Sequence, residues 1–512
     1  MTTLIPQYDQ GSTNAVNRPI NQKLSETISV KDFGAKGDGI VNDTTACQNA
    51  INYGIANGVQ IFFPSGNYSI STLTIANSSY NFSIRCDDCQ FSANATTATS
   101  TLIQLNNVID FSWLGNCNIV IGNSNYTSAF SIIASSSGST SRVNINNVTV
   151  RDSGIGISVG AYNVDLQCSE INFFGCNFFK CPIAVYSGGS QTISSWNGCN
   201  IVSEQSTYFP TQNGAMKAIW LEGGVIQVNG GSVVSDDFQS STIGILFNPA
   251  SSSTYGNPYG RLHINGTQVE TSNNLFLASN PRGLSSPTSN TSNVTLTNCG
   301  GYAGSNTPSN DFITCSDSTY AGYIEVTSCN FYSNNAITAY SLSSASSNTY
   351  FITDKTSFNK NFRKWTNGVS GGIMLHDYTP AIFAYGVNTT IPSGATTVKF
   401  INNSTTQEYA RYGSNYSTST GKFTCPSGVY SAEVIVNLIG GSSVSGDIYL
   451  LLNGSNIVAH GQYINGNANL NAIWSISTGN TLEIVLNGAS SNTFSNDAFQ
   501  NIQILLSSHQ PY

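Results

Sequence analysis

INFFGCNF at residues 171–178 and ISSWNGCNI at 193–201 are two copies of one pattern: apolar, any, apolar, a short spacer, a small residue or Cys, any, apolar. Further copies are IRCDDCQF from Ile84, FSWLGNCNI from Phe111, IQVNGGSV from Ile226, LHINGTQV from Leu262, VTLTNCGG from Val294 and IEVTSCNF from Ile324, with VNINNVTV from Val143 a looser one. With Cys89, Cys117, Val148, Cys176, Cys199, Gly231, Thr267, Cys299 and Cys329 as the equivalent position, successive intervals are 28, 31, 28, 23, 32, 36, 32 and 30 residues. Short alternating strands with Asn/Gly/Ser turns cannot bury an apolar face alone, but they can when stacked coil on coil at this period. The pattern therefore predicts a right-handed parallel β-helix, with the recurring Cys as an internal ladder of small apolar side chains and Asn beside it in the turns.

Such an elongated core also removes the need to divide 512 residues into several compact domains. The formal net charge of −8 and the absence of a Lys/Arg run exclude the electrostatic footprint of a nucleic-acid binder. Only 9% of residues are charged, while 25 Tyr, 25 Phe and abundant Asn, Ser and Thr suit a β-rich surface for neutral polar ligands, sugars above all. MTTLIPQYDQGSTNAVNRPINQKLSE at the start holds no continuous apolar stretch, so neither a signal peptide nor membrane insertion is expected. Twelve Cys with a single CxxC, CDDC at Cys86 to Cys89, and four His predict reduced buried thiols from a reducing cytoplasm, with no metal and no cofactor.

Residues 46–58, ACQNAINYGIANG, space Ala46, Ala50, Ile51 and Ile55 as a short helix, with Asp43 or Thr44 as N-cap and Gly58 as stop. That helix would cover the open end of the solenoid. Together with VKDFGAKGDGIVNDTTACQNAINYG and IFFPSGNYSI, it resembles the opening segment of the pectate-lyase-like β-helix proteins. NRPINQKLSETIS before it is similar to the lead-in of tailspikes of tailed bacteriophages. Lys31, Asp32, Asp38 and Asp43 with their glycines read as a capping loop.

After residue 366 the coil pattern stops, and strand candidates such as TVKFIN, DIYLLLNGSNIVA and TLEIVLNG suggest an antiparallel jelly roll. GKFTCPSGVYSAEVIVNL, NLNAIWSISTGNTLEIVLN and IQILLSS resemble the globular head of complement and tumour-necrosis-factor-like proteins. The division expected is a virion-attachment arm over 1–28, the β-helix over 29–365, a linker over 366–385 and a trimerisation or carbohydrate-binding head over 386–512. The resemblance implies a homotrimer in the virion tail, made in the host cytoplasm. It would be held by the arm to a tail or baseplate protein and directed at host cell-surface polysaccharide.

Glycoside hydrolysis needs two carboxylates, and equivalent positions on adjacent coils lie about 4.8 Å apart, so acids at matching offsets could pair without a local motif. Glu204 and Asp236 each follow the reference residue by five positions and Glu270 follows it by three, which gives all three the outward parity. Glu204 and Asp236 form the expected core pair, with Glu270, Asp237 and Glu222 in reserve. Trp220, Trp196 and Tyr208 offer flat faces for sugar rings, and Lys217, Arg261 and His263 are further substrate-binding candidates. β-Elimination would instead use a base and a charge neutraliser from Lys180, Lys217, Arg261 or Arg282. A spike that binds without cleaving is the third reading.

Overall fold

The computed structural model describes residues 6–507 except 14, 25, 79–80, 98, 137, 162–166, 190, 211–215, 236–242, 248–259, 272–273, 279–291, 304–310, 316–321, 334–336, 342–348, 355, 359–361, 364–372, 377–381, 386–389, 392–393, 400–401, 404–414, 426–430, 440–444, 465–466, 489–491 and 494–500. The chain folds as two units: residues 1–322 with 329–337, and residues 323–328 with 338–512.

The first unit is a parallel β-helix in which each full coil contributes three strands. One coil runs through Cys168–Phe174, Asn177–Phe179 and Ile183–Ser187, and the next through Thr192–Asn197, Asn200–Ser203 and Lys217–Leu221. Each strand pairs in parallel with its counterpart one coil away, and the register follows the sequence repeat. Cys117 lies opposite both Cys89 and Val148, and Asn177, Asn200, Ser232, Gln268, Gly300 and Asn330, each one residue past the reference position, pair in series.

The motif has a steric cause. The residue before most reference positions turns a corner with positive φ: 51° at Asp88, 53° at Asn147, 62° at Gly175, 60° at Gly198 and 53° at Asn298. Gly, Asn and Asp tolerate this region best, hence the recurrent Gly or Asn before the Cys. The corner amides bond to the next coil, as Gly198 N–H does to the Asn229 carbonyl at 2.9 Å. Asn200 Nδ2 donates to Asn177 Oδ1 at 2.7 Å, which places the expected Asn ladder beside the Cys column.

Inside, Ile84, Trp113, Ile145, Phe173, Trp196, Val228, Ile264 and Leu296 stack on successive coils, all buried. Each such side chain contributes roughly 1.5–3 kcal/mol or more by leaving water. Trp196 is 0% exposed and lies flat on Phe173 with ring centroids 3.8 Å apart. The expectation that Trp196 is a sugar platform is thereby corrected: its strand parity turns the indole into the core, where Nε1 donates to Ser194 Oγ.

The end cap forms as read. The helix spans Thr44–Asn57 and stops at Gly58, whose φ is 65°. Its buried face is Cys47, Ala50, Ile51 and Gly54. Asp43 stands at the N-cap position, yet its carboxylate serves the preceding loop, accepting from Lys36 N–H at 2.7 Å and Gly37 N–H at 3.0 Å. Ser29 and Asp32 make a reciprocal capping box around a short turn ended by Gly34. Among the described residues no helix is long and apolar enough to cross a membrane.

The second unit contains an antiparallel sheet. Its longest pairing joins Ser431–Ile439 to Asn467–Ser475 and, on the other side, to Asn501–Ser507. Thr481–Gly488 pairs with Gly446–Leu452 and with Lys422–Thr424. Val434, Val436, Ile448, Leu450, Phe423, Ile484 and Ile504 share one buried cluster.

Candidate functional site

The register of the first strands lines up an outward column of uncharged polar residues: Ser83, Ser112, Asn144, Asn172, Ser195, Gln227, His263 and Thr295. Seven strand spacings give it a length of about 34 Å. Its members bond along the axis: Asn172 to Asn144 at 3.2 Å, Ser195 to Gln227 at 3.4 Å and His263 Nδ1 with Thr295 Oγ1 at 2.6 Å. Partial burial, and secondarily the charge of Arg261, lowers the His263 pKa, so the imidazole stays neutral at pH 7 and keeps the column uncharged.

Beside its lower half lies a groove of about 590 Å³ lined by Asn81, Asp110, Arg142, Glu170 and Ile193, together with Ser112, Asn144, Asn172 and Ser195 from the column. Asp110, Arg142 and Glu170 occupy one position on three successive coils, because Ile109 pairs with Ser141 and Ser141 with Ser169. All three are in the left-handed region, with φ of 57°, 53° and 56°. Asp tolerates that region, whereas Arg142 and Glu170 are strained in it, and such strain is found disproportionately at functional sites. Arg142 holds Asp110 through a two-point ion pair, Nε to Oδ1 at 2.5 Å and Nη2 to Oδ2 at 3.0 Å. These bonds lower the Asp110 pKa and keep it ionised. Two strand spacings separate Asp110 from Glu170, roughly 9.5 Å.

Sequence reasoning missed this pair because neither acid lies at the offset used for Glu204, and a left-handed kink near the start of a strand leaves no mark in the alternation. Arg261 and His263 were expected, and they extend the same face: Arg261 follows Ile193 and Val225 in the neighbouring column.

The other candidates lie elsewhere. Glu204 follows the strand Asn200–Ser203, and its Oε2 accepts from Lys180 N–H at 2.9 Å, which uses the carboxylate to close the corner of the previous coil. Glu270 faces outward in the column of Val234, two residues short of the Glu204 position, and accepts from Gln268 Nε2 at 2.7 Å. Asp236, Asp237 and Arg282 lie outside the described residues. Tyr208 is 43% exposed.

Lys217, Trp220 and Glu222 do come together, on the third strand Lys217–Leu221 and just past its end. The Tyr186 hydroxyl donates to Glu222 Oε2 at 2.6 Å, the Lys217 ammonium stands 4.9 Å from the Trp220 ring centroid, and Tyr186 meets Trp220 edge to face at 5.4 Å. Glu222 is 3% and Lys217 6% exposed. Burial lowers the Lys217 pKa to about 8, against a smaller opposing pull from Glu222. Among the described residues, the one group of three or more ligand-type side chains close enough to share a metal ion lies inside the solenoid: Cys86, Cys89 and Cys117.

Comparison with known proteins agrees with this architecture. Residues 27–83 match the family model "Rhamnogalacturonase A/epimerase, pectate lyase-like". A 67-residue stretch is 42% identical to the tail spike protein of an Escherichia phage, covering 13% of this chain and 8% of that relative, so the match spans only a small part of its length. A mutant tailspike protein of Escherichia coli bacteriophage HK620 superposes with a TM-score of 0.55 at 12% identity, over 94% of this chain and 96% of that one. The chain has the phage tailspike fold. Another structure of the HK620 tailspike, in complex with a hexasaccharide, aligns over 94% of this chain and 96% of that chain with a TM-score of 0.46 at 11% identity. The family-model match over residues 27–83 takes in the capping helix Thr44–Asn57.

Proposed function

We propose that the protein is a virion spike that binds host surface polysaccharide along the polar column and cuts it within the chain by hydrolysis. The observation that carries this reading is the groove, which sets two carboxylates two coils apart beside an uncharged hydrogen-bonding stripe on a tailspike fold. A neutral stripe of amides and hydroxyls suits sugar hydroxyls, and its length suits a polymer. Asp110, kept ionised by Arg142, acts as the base that activates water. Glu170 acts as the acid that protonates the leaving oxygen. The two strand spacings between their backbones, roughly 9.5 Å, match the carboxyl separation of inverting enzymes, about 6.5–9.5 Å.

The pair read from the sequence, Glu204 with Asp236, competes with this assignment, with Glu270, Asp237 and Glu222 behind it. The deciding experiment measures shortening of host polysaccharide by Asp110→Asn, Glu170→Gln, Glu204→Gln and Asp236→Asn. The reading requires loss of cleavage with retained binding in the first two and near-normal cleavage in the last two. The reverse pattern returns the site to Glu204 and Asp236. No cleavage by the parent protein leaves a binding spike.

β-Elimination is a second reading, favoured by one observation: a buried amine with a lowered pKa beside Tyr186 and Glu222. It would give new chain ends with the ultraviolet absorbance of an unsaturated uronate, and Lys217→Met would abolish them. The antiparallel unit is proposed to close as a jelly-roll head and to hold three copies around one axis. The N-terminal arm is proposed to dock on a tail or baseplate protein. Sedimentation of the full chain tests the trimer, and a dimeric or monomeric mass refutes it.

A further inference from the structure

The second-strand column carries a thiol on most coils, and between two adjacent coils three thiols meet. In the strand Phe82–Ala93, Asp87 and Asp88 are both exposed and Asp88 has a φ of 51°, so this extra residue at the corner lets Cys86 and Cys89 both turn inward. Cys117 stacks on Cys89 from the next coil, where the register shifts by one residue between Gly115 and Cys117 to absorb the corner. The three sulfur atoms all lie within 4.8 Å of one another, and the three residues are at most 2% exposed. In two other places thiols meet in twos: Cys199 Sγ accepts from Cys176 N–H, and Cys329 Sγ accepts from Cys299 N–H.

We propose that Cys86, Cys89 and Cys117 form a binding site for one monovalent copper ion, taken up as the coils stack. The geometry fits a three-coordinate ion: with metal–sulfur bonds of about 2.3 Å, a trigonal site spaces its sulfurs about 4.0 Å apart. A soft thiolate set without nitrogen or oxygen selects Cu(I). Zinc fits poorly, because it takes a tetrahedral shell and no fourth ligand-type side chain among the described residues joins the group.

Charge fits as well. The three residues are at most 2% exposed, and a monovalent ion costs less to enclose there than a divalent one. Binding exchanges thiol protons for one Cu(I): each S–H bond that breaks sends its proton to solvent and leaves a thiolate bonded to copper, and no electron is transferred.

The test refolds the full chain anaerobically from urea with a Cu(I)–acetonitrile complex, challenges it with a Cu(I) chelator, and counts the copper retained. About one copper per chain is expected, with near-ultraviolet thiolate-to-metal absorption. Cys117→Val, which copies the Val148 of the next coil, should reduce it at least tenfold, and Cys86→Ser supplies the same reading should Cys117→Val not fold. Cys168→Ser and Cys176→Ser, outside the cluster, should retain it. Retention below a tenth of a copper per chain, equal retention in Cys117→Val and Cys176→Ser, or tighter retention of zinc than of copper overturns the proposal.

Discussion

Trp196→Ala separates a core indole from a sugar platform. The side chain is fully buried and stacked on Phe173 at 3.8 Å, with Phe178 6.1 Å away on another side. Removing an indole takes away roughly 200 Å² of buried apolar surface, worth about 5 kcal/mol at 25 cal/mol per Å². Partial collapse of Phe173 and Val228 into the gap reduces the net loss to about 3–5 kcal/mol. At 4 kcal/mol the folding equilibrium of the coils shifts by roughly a thousandfold. Urea unfolding of the full chain, followed by far-ultraviolet circular dichroism, reads this as a lowered midpoint, with Trp196→Phe as a control that keeps most of the ring volume. Polysaccharide affinity at low urea should be unchanged. A loss below about 1 kcal/mol together with weakened sugar binding would refute the reasoning and return Trp196 to the surface.

Three other outcomes follow from the same structure. Lys217 has a folded pKa of about 8 against 10.5 when free, so the folded state binds fewer protons between these values. The burial cost is therefore fully present below pH 8 and relieved as pH rises towards 10.5, a gain of roughly 3 kcal/mol that Lys217→Met should remove from the pH–stability curve. Gly301→Ala places a Cβ 1.7 Å from the Val269 carbonyl oxygen, so coil separation or loss of soluble expression is expected, and an unchanged melting temperature contradicts the register. Asp43→Ala strips the Lys36 and Gly37 amides of their acceptor and should cost about 2–3 kcal/mol, read as faster proteolysis within residues 29–46.

How much of this was legible in the sequence depended on which interactions are periodic. The Cys, Val, Gly and Thr reference positions gave the coil register rung by rung, because one buried column and one left-handed corner recur in every repeat. The capping helix was legible because Gly58 and the Ala/Ile spacing are local signals. Trp196 misled, since its odd offset from Cys199 reads as outward, whereas the left-handed corner at Gly198 interrupts the alternation and leaves both side chains inward. The Asp110–Arg142–Glu170 line was not legible, because it is built by a left-handed kink repeated near the start of three strands, which the alternation does not mark. Lys217, Trp220 and Glu222 were read as neighbours from one segment, but their partner Tyr186 comes from the coil before and leaves no mark there.

The anomeric configuration of the first reducing ends released from host polysaccharide, read by proton nuclear magnetic resonance before mutarotation, tests the proposed chemistry most directly. Asp110 and Glu170 two coils apart predict inversion. Retained configuration, an unsaturated product or no cleavage at all would contradict it.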